Sequence, residues 1–312
     1  MGLWVGTTLL IQKHFSGDRT LIRVTKFPSD SEQTVQSNAV AEMAQQLTDL
    51  FRELRSVAVA WSGGVDSAVV AKAAALALQE QAVAVTAVSP SLAEVERRGA
   101  AQEARTIGIR QIEICTQEFG RDEYRRNAGD RCFFCRDTLY SLMAERLQSL
   151  GVEVLVNGAN MDDLGDYRPG MEAAKQHRVR SPLIELGIDK TGVRQLARYW
   201  NLSVADKPAS PCLSSRIAYG VEVTEERVRR IELAEACVRR LTGIREFRVR
   251  CESGDLARIE VPVTQLIRLV EDQVRSKLVS ELTALGFSNV TLDLQGFRSG
   301  SLNAALVQLA EP

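Results

Sequence analysis

The chain has 312 residues, of which 45% are hydrophobic and 25% charged, and its formal net charge is −1 at pH 7. This composition is that of a soluble globular protein, the length suggests two domains, and no apolar run is long enough to span a bilayer. The near-neutral charge gives no global attraction to nucleic acid, and the two histidines leave little basis for histidine catalysis or a histidine-rich metal site.

Residues 1–36 match no pattern that assigns them to a domain, and we expect an N-terminal extension without fixed structure. Over residues 37–218, strand and helix patterns alternate, which predicts an α/β domain with a doubly wound parallel sheet whose ligands bind at the carboxyl ends of the strands. The strand-like segments are "SVAVAW", "AVAVTAVSP", "RQIEICT" and "VEVLVNGAN", and the helix-like ones include "SAVVAKAAALALQE", "SLAEVERRGAAQEARTIG", "RDTLYSLMAERLQSLG" and "KTGVRQLARYWNL".

Residues 219–312 show a different pattern. A helix is expected to begin after Thr224 as its N-cap and to run to about Leu241. The alternating segments "EFRVRCE" and "LARIEVP" follow, then a long helix and the strand "NVTLDL". This order predicts a second, smaller α+β domain.

The stretch "VAVAWSGGVDSAVV", residues 57–70, places glycines and serines between an apolar strand and an alanine-rich helix. Unpaired N–H groups and the positive end of the helix dipole favour an anion at such a junction. The loop lacks the lysine of the common P-loop and contains Asp66 instead. Because a carboxylate beside phosphate needs a cation between them, Asp66 predicts a Mg²⁺ ion. A helix start capped by serine and aspartate is the alternative.

The motif "SGGVDS" resembles the PP-loop of the ATP pyrophosphatases, which have an adenine nucleotide alpha hydrolase-like fold. The resemblance implies that ATP adenylates a substrate oxygen and that pyrophosphate is released. Nucleotide contacts are then expected from the loop itself and from residues that follow neighbouring strands, namely Ser62, Gly63, Gly64, Val65, Asp66, Ser67, Ser89, Asn157 and Gly158. Asp163 is a second candidate Mg²⁺ ligand, with capping of the next turn as its alternative role.

Three of the six cysteines lie in polar motifs. Cys132 and Cys135 form a C-x-x-C pair in "DRCFFCRD", and Cys212 lies in "DKPASPCLSSRIAYG". Half of a zinc site, a redox dithiol and an iron–sulfur cluster are the competing interpretations. Three thiolates suit a [4Fe-4S] cluster with one open iron, which can bind sulfide. Six cysteines in a chain of this size are not a disulfide framework, and together with an ATP-type loop they favour the cytoplasm.

Taken together, "NGANMDDLGDYRPG", "VRSPL", "DKPAS", "ASPCLSSRI", "GDLARIEV" and "TLDLQGFRSGSLN" resemble the LarE-type ATP-dependent sacrificial sulfur transferases. The resemblance implies conversion of the carboxylates of pyridinium-3,5-biscarboxylic acid mononucleotide to thiocarboxylates, for a nickel-pincer nucleotide. Cys212 matches the sulfur-bearing cysteine of the family, which gives up its own sulfur in some members. Members with the extra C-x-x-C resemble enzymes in which a cluster on three cysteines delivers sulfide, and this chain has Cys132, Cys135 and Cys212.

Basic residues near Cys212 and on a predicted strand are candidates for phosphate contacts. Arg248 and Arg250 are two residues apart and share one strand face, where the family has an Arg-x-Arg pair for the substrate phosphate. A solvated strand face is the alternative. Arg216 is expected to steady a phosphate or to form a surface ion pair, and Lys207 to reach phosphate or the leaving group or to be a surface lysine.

Two other functions fit the motifs. An iron–sulfur-dependent tRNA thiolase would need a broad basic surface, and a nucleotide-binding regulatory protein would not turn over. The preferred interpretation is a cytoplasmic enzyme with a small-molecule nucleotide substrate, no membrane partner and no nucleic-acid partner. The family resemblance implies a homo-oligomer, with a hexamer as the expected assembly.

Overall fold

The computed structural model describes residues 9–14, 21–26, 30–165 and 169–298. Strands β1 (Leu9–His14) and β2 (Leu21–Lys26) pair antiparallel, and helix α1 (Asp30–Glu53) follows them. The predicted extension ended at residue 36, which lies inside α1 because the helix continues without a break from residue 30. The rest of that extension, residues 1–8, 15–20 and 27–29, lies outside the described residues.

A four-stranded parallel sheet forms the centre of the larger half of the chain. Its strands are β3 (Val57–Ala60), β4 (Ala82–Val88), β5 (Arg110–Cys115) and β6 (Val154–Val156), in the order β5-β4-β3-β6. The helices along this part of the chain are α2 (Val65–Leu78), α3 (Glu94–Ile107), α4 (Asp122–Arg125), α5 (Arg131–Leu150), α6 (Pro169–Gln176), α7 (Pro182–Glu185) and α8 (Lys190–Tyr199).

Helices cover both faces of this sheet. Because successive side chains of a strand point to opposite faces, alternate residues of β3 belong to two different cores. Val57 and Val59 of β3 pack in one core with residues of α1, α2 and α8, whereas Ala58 and Ala60 pack in another with residues of α5 and α6. All four β3 side chains are buried, which explains why the strand is a continuous apolar run. The predicted doubly wound α/β class is therefore confirmed.

A three-stranded sheet and its helices form the smaller half. Its elements in chain order are α9 (Glu225–Thr242), β7 (Arg248–Glu252), β8 (Leu256–Glu260), α10 (Leu266–Val270), α11 (Asp272–Ala284) and β9 (Asn289–Leu292). β7 and β8 pair antiparallel, and β9 pairs parallel with β8. Thr224 caps α9 as predicted, since its hydroxyl accepts from the backbone N–H of Arg227 at 3.2 Å.

The core of the smaller half includes residues from the larger one. Tyr124, Leu213 and Ile217 are buried against β7, β8 and α9, so the sequence around the cysteine motifs packs on both halves. The domain boundary at 218/219 therefore stays a prediction. Within the part of the chain that the structure describes, no helix is long and apolar enough to cross a membrane.

Candidate active site

The SGGVDS loop lies between β3 and α2 and is closely packed. Gly63 has a φ of +68°, and a Cβ there would lie 2.7 Å from Cβ of Ala100, so only glycine fits. The hydroxyl of Ser67 donates to the carbonyl of Gly64 at 3.0 Å, and its oxygen is 3.1 Å from that of Ser62. The loop is thus held in a fixed shape at the N-terminus of a 14-residue helix, where anions are favoured.

The "NGAN" loop after β6 packs directly on this cradle. A Cβ on Gly158 would lie 2.8 Å from the backbone nitrogen of Ser67 and 2.9 Å from the backbone carbon of Asp66. Asn157 is buried, and its side-chain oxygen accepts from the backbone N–H of Ala159 and from the hydroxyl of Ser181. Gly158 therefore lies at the predicted nucleotide site, while the Asn157 side-chain oxygen shapes the loop.

Asp66 is bound by two side chains that are not among the predicted site residues. Lys190, the first residue of α8, donates to both carboxylate oxygens at 2.7 and 2.6 Å, and the side-chain amide of Asn160 donates to one of them at 3.0 Å. Asp163 accepts from the backbone N–H of Asn160 at 2.9 Å, which is the capping role named as its alternative. Asp163 thereby fixes the loop that positions Asn160.

The donor chemistry at Asp66 fits Mg²⁺, which prefers carboxylate oxygens. Both oxygens already accept hydrogen bonds from the Lys190 ammonium group, so a metal ion there would share the carboxylate with that cation. Among the residues that the structure describes, no group of three His, Cys, Asp or Glu side chains is placed to hold a metal ion. The fit thus rests on Asp66 together with ligands from a bound phosphate.

A cavity of about 340 Å³ connects the phosphate loop with Cys212. Its lining includes Ser62, Lys207, Cys212 and Arg248. It therefore places a PP-loop hydroxyl, a thiol, five cationic side chains and three carboxylates around a space of small-molecule size.

The serine turn after β4 fixes the segment around Cys212. The backbone N–H of Leu213 donates to the carbonyl of Ser91 at 2.8 Å, and the hydroxyls of Ser91 and Ser89 are 2.8 Å apart. Ser91 lines the cavity. Ser89, the predicted nucleotide contact, is not part of the described lining and is connected to the cavity through its hydrogen bond with Ser91.

Lys207 links three parts of the site. Its ammonium group donates to Glu96 at 2.7 Å and to the carbonyl of Gly63 at 3.3 Å. The other carboxylate oxygen of Glu96 accepts from the hydroxyl of Ser210 at 2.8 Å. Lys207 is therefore bound at the PP-loop and is not a free surface lysine.

Arg216 and Arg250 are buried and bound within the protein. Arg216 donates to Glu235 at 3.0 Å and to the carbonyl of Cys212 at 2.9 Å. Arg250 donates to Glu260 at 3.0 and 2.9 Å and to the carbonyl of Ser215 at 3.0 Å. Both guanidinium groups therefore fix the Cys212 loop and the strand beneath it, and β7 is not a solvated face at Arg250.

Arg248 differs from its neighbours. It donates to the carbonyls of Phe247 and Ala209 and stacks on the ring of Phe297, and within the described residues it has no carboxylate partner in an ion pair. Burial, with the nearby charges of Arg216 and Arg250, lowers the pKa of Arg248 to about 10. The charges of Glu235 and Glu246 act on Arg248, but among the described residues neither forms an ion pair with it, so it is the arginine of the predicted pair best placed to bind an anion in the cavity.

The C-x-x-C pair begins α5, on the side of Tyr124 and Cys212. Burial, followed by the charge of Cys212, raises the pKa of the Cys132 thiol. The pKa of Cys135 is raised by burial, then by the charges of Glu118 and Cys212. All three thiols are unpaired, and the charge of Cys212 acts on both Cys132 and Cys135, so the predicted cluster residues lie in one region.

Arg131 provides a positive charge beside these thiols. Burial would lower its pKa, but the charges of Cys212 and Cys132 outweigh that effect and raise it. The side chain donates to Asn127, whose own amide binds the carbonyl of Ala218 at 2.8 Å. The loop before α5 is thereby tied to the segment after Cys212, although no described group of side chains is assembled as a ready metal site.

Comparison with known proteins adds sequence relatives. No protein-family model matches the chain. A protein from Lactiplantibacillus plantarum named pyridinium-3,5-bisthiocarboxylic acid mononucleotide synthase is 34% identical over 265 residues, which is 84% of this chain and 94% of that protein. This chain belongs to the LarE-type family of such synthases.

Two further relatives are uncharacterized proteins. One from Synechocystis sp. is 45% identical over 85% of this chain and 98% of its own length. One from Methanocaldococcus jannaschii is 24% identical over 83% of this chain and 96% of its own length. The matches with these relatives thus extend through both halves of the described fold rather than over the PP-loop alone.

The residues that sequence reasoning missed are partners of those it found. Lys190, Asn160, Glu96 and Glu235 each bind a predicted site residue from a distant part of the chain. Only Lys190 had a local signal, since Asp189 before it is a helix N-cap and places the lysine in the first turn of α8.

Proposed function

We propose that this chain is an ATP-dependent sulfur transferase that converts the carboxylates of pyridinium-3,5-biscarboxylic acid mononucleotide to thiocarboxylates during nickel-pincer nucleotide biosynthesis. The observation that supports it most is the single cavity lined by Ser62 of the PP-loop, by Cys212 and by Arg248. These residues offer a phosphate contact, a sulfur atom and an anion-binding cation within one space. The name of the Lactiplantibacillus plantarum relative supports the same substrate class.

The first half-reaction would be adenylation of a substrate carboxylate. A carboxylate is a poor electrophile because oxide would have to leave, whereas an acyl-adenylate releases AMP. The PP-loop would bind the phosphates of ATP at the start of α2, and Lys190 and Lys207 would offset their charge. Mg²⁺ held by Asp66 would supply further charge neutralisation.

The second half-reaction would form the carbon–sulfur bond. The Cys212 thiolate would attack the acyl carbon, the bond from that carbon to the phosphate oxygen would break, and AMP would leave with the electron pair. Cleavage of the cysteine Cβ–S bond, with loss of the Cα proton to a base, would release the thiocarboxylate and leave dehydroalanine. A [4Fe-4S] cluster, if held by Cys132, Cys135 and Cys212, would supply sulfide in place of the Cys212 sulfur.

We favour the cluster as the sulfur source, because this chain has two additional thiols, Cys132 and Cys135, at the start of α5, and the charge of Cys212 acts on both. Arg131 would offset part of the negative charge of the three thiolates. The two sources differ in what happens to the protein. Donation by Cys212 removes one sulfur from the chain at each turnover, whereas a cluster route leaves the polypeptide mass unchanged.

The substrate phosphate is assigned to Arg248. Arg248 lines the cavity and forms no ion pair with a carboxylate among the described residues, whereas Arg216 and Arg250 are paired with Glu235 and Glu260. Arg216 and Arg250 themselves would position the Cys212 loop and strand β7, since their hydrogen bonds are directed to protein groups.

The test is an anaerobic reaction of the purified protein with the biscarboxylate mononucleotide, ATP and Mg²⁺. We expect substrate-dependent pyrophosphate release and a thiocarboxylate product by mass spectrometry. We also expect the wild-type protein to contain iron and labile sulfide, and the Cys132→Ala variant to contain neither. Iron-free protein that still makes product while losing the mass of hydrogen sulfide would replace the cluster route with the Cys212 route. Absence of pyrophosphate and thiocarboxylate with this substrate would reject the proposed function.

Assembly and compartment belong to the same proposal. We expect a homo-oligomer, a small-molecule substrate and no nucleic-acid or membrane partner. All six cysteines are unpaired thiols, which suits a reducing compartment such as the cytoplasm. Mass measurement of the native protein in solution tests the hexamer directly.

A further inference from the structure

The loop that ends at Cys212 is held from several sides. Arg194 of α8 donates to the carbonyls of Ala205 and Lys207, Arg248 to that of Ala209, and Arg216 to that of Cys212. These contacts are directed to backbone carbonyls and come from residues after the PP-loop in the sequence. The loop is therefore fixed along its length, and a carboxylate of α3 adds a contact of another kind.

That contact is made by Glu96 in the first turn of α3. One of its oxygens accepts from Lys207 at 2.7 Å, and the other accepts from Ser210 at 2.8 Å. Lys207 donates at the same time to the carbonyl of Gly63 in the PP-loop. One carboxylate thus connects the nucleotide loop with two residues of the loop that contains Cys212.

The surroundings of Glu96 hold it as a carboxylate. Burial alone would raise its pKa, but the hydrogen bonds from Lys207 and Ser210 and the charges of Lys207 and Arg216 bring the pKa below its ordinary value. Glu96 also lines the cavity between Ser62 and Cys212. Its position is internal to the site, unlike that of Glu94 two residues earlier, which forms exposed ion pairs with Arg97 and Arg98.

We propose that Glu96 is a positioning residue that fixes the Cys212 loop against the PP-loop, so that sulfur rather than water attacks the acyl-adenylate. This inference rests on the proposed function. Without the contact, water would add to the same acyl carbon, the carbon–oxygen bond to AMP would break, and carboxylate, AMP and a proton would result. Pyrophosphate would still be released, because that step needs the PP-loop and not the sulfur.

The test compares Glu96→Gln with Glu94→Gln, a matched change in the same turn of α3. We expect the pyrophosphate formed per thiocarboxylate to rise about tenfold in Glu96→Gln, and this ratio is the readout because the rate of pyrophosphate release can itself change when Lys207 loses its partner. Amide hydrogen exchange should accelerate over residues 207–213 and stay unchanged in α2. Glu94→Gln should match wild type in both measurements.

Two further variants separate positioning from loss of folding. Ser210→Ala removes one of the two hydrogen bonds and should raise the same ratio by a smaller factor, and Glu96→Asp should fall between Gln and wild type. A wild-type ratio and wild-type exchange in folded Glu96→Gln would overturn the inference. If wild type itself forms no thiocarboxylate, the proposed function fails, and the exchange measurement still decides whether Glu96 fixes the loop.

Discussion

Lys190 and Asp66 form a two-point ion pair, with the ammonium nitrogen 2.7 and 2.6 Å from the two carboxylate oxygens. The residues are 124 positions apart, yet the pair lies where α2 begins after the PP-loop. The PP-loop itself contains no lysine, and Lys190 from the first turn of α8 supplies an ammonium group to the loop carboxylate Asp66. The predicted Mg²⁺ site and this ammonium group therefore share one residue.

Lys190→Met should lower pyrophosphate release at least about tenfold, because it removes a cation from the place where the phosphates of ATP would bind. Lys190→Arg should retain part of the rate, since the charge is preserved. Lys175→Met, on the exposed part of α6, is the control. A Lys190→Met enzyme with wild-type kcat and wild-type KM for ATP would show that the pair is only structural.

Gly158→Ala should weaken binding of a non-hydrolysable ATP analogue about tenfold, because the new methyl group would push on the backbone of Asp66 and Ser67. The contacts are to backbone atoms, which cannot rotate away as a side chain does. Gly165→Ala is a matched control in the same region, where a Cβ meets nothing within 4 Å among the residues that the structure describes. Unchanged analogue affinity in Gly158→Ala by calorimetric titration would contradict the close packing.

Arg248 and Arg250 should respond differently to substitution, although they are two residues apart on one strand. Arg250→Ala leaves the fully buried Glu260 with Arg258 as its remaining ion-pair partner in the described structure, and should cost about 2–4 kcal/mol of unfolding free energy.

Arg248→Ala should leave the free energy of unfolding nearly unchanged and raise KM for the mononucleotide about tenfold or more. Urea unfolding and steady-state kinetics on both variants provide the two measurements. Equal loss of stability in the two variants, with no change in KM for Arg248→Ala, would remove the assignment of Arg248 to the substrate phosphate.

Asp137 should make the stability of the protein depend on acid pH. Its carboxylate accepts hydrogen bonds from Arg121 at 2.6 Å and from His177 at 2.8 Å. Burial by itself would raise the pKa of Asp137, but the hydrogen bonds and charges of these two partners lower it below its ordinary value. A lowered folded-state pKa contributes stability that is present above the ordinary value of 3.8 and is lost as pH falls through the folded-state pKa.

Asp137→Asn should therefore cost about 1 kcal/mol of unfolding free energy between about pH 5 and 7, and the difference should vanish in stronger acid. Unfolding by urea at a series of pH values measures it. A difference that stays constant down to the acid limit would indicate lost packing of α5 rather than lost charge.

Local sequence signals predicted most of the fold. The apolar run from Val57 to Ala60 predicts a buried strand, and all four side chains are buried in the structure. Thr224 is the predicted N-cap of α9, and its hydroxyl accepts from the backbone N–H of Arg227, the third residue after it. The PP-loop was equally accessible, since glycines such as Gly63 are required by backbone geometry within a few residues.

The long-range partners could not be read in the same way. Whether Arg216 binds a phosphate or a carboxylate depends on Glu235, which reaches it from α9, and the charge of Lys207 is matched by Glu96 from α3. A single sequence contains no signal for such pairings, because any exposed glutamate or arginine has the same local pattern. The same limit applies to Arg250, whose burial depends on how the smaller half packs on the Cys212 segment.

Sulfur transfer at this site is tested most directly by the thiocarboxylate yield of Cys212→Ala, compared with that of Cys115→Ala, which changes an exposed cysteine at the end of β5. We predict that Cys212→Ala still releases pyrophosphate with the biscarboxylate mononucleotide but forms no thiocarboxylate, whereas Cys115→Ala behaves as wild type. Full thiocarboxylate yield from Cys212→Ala would contradict the assignment of sulfur transfer to this site.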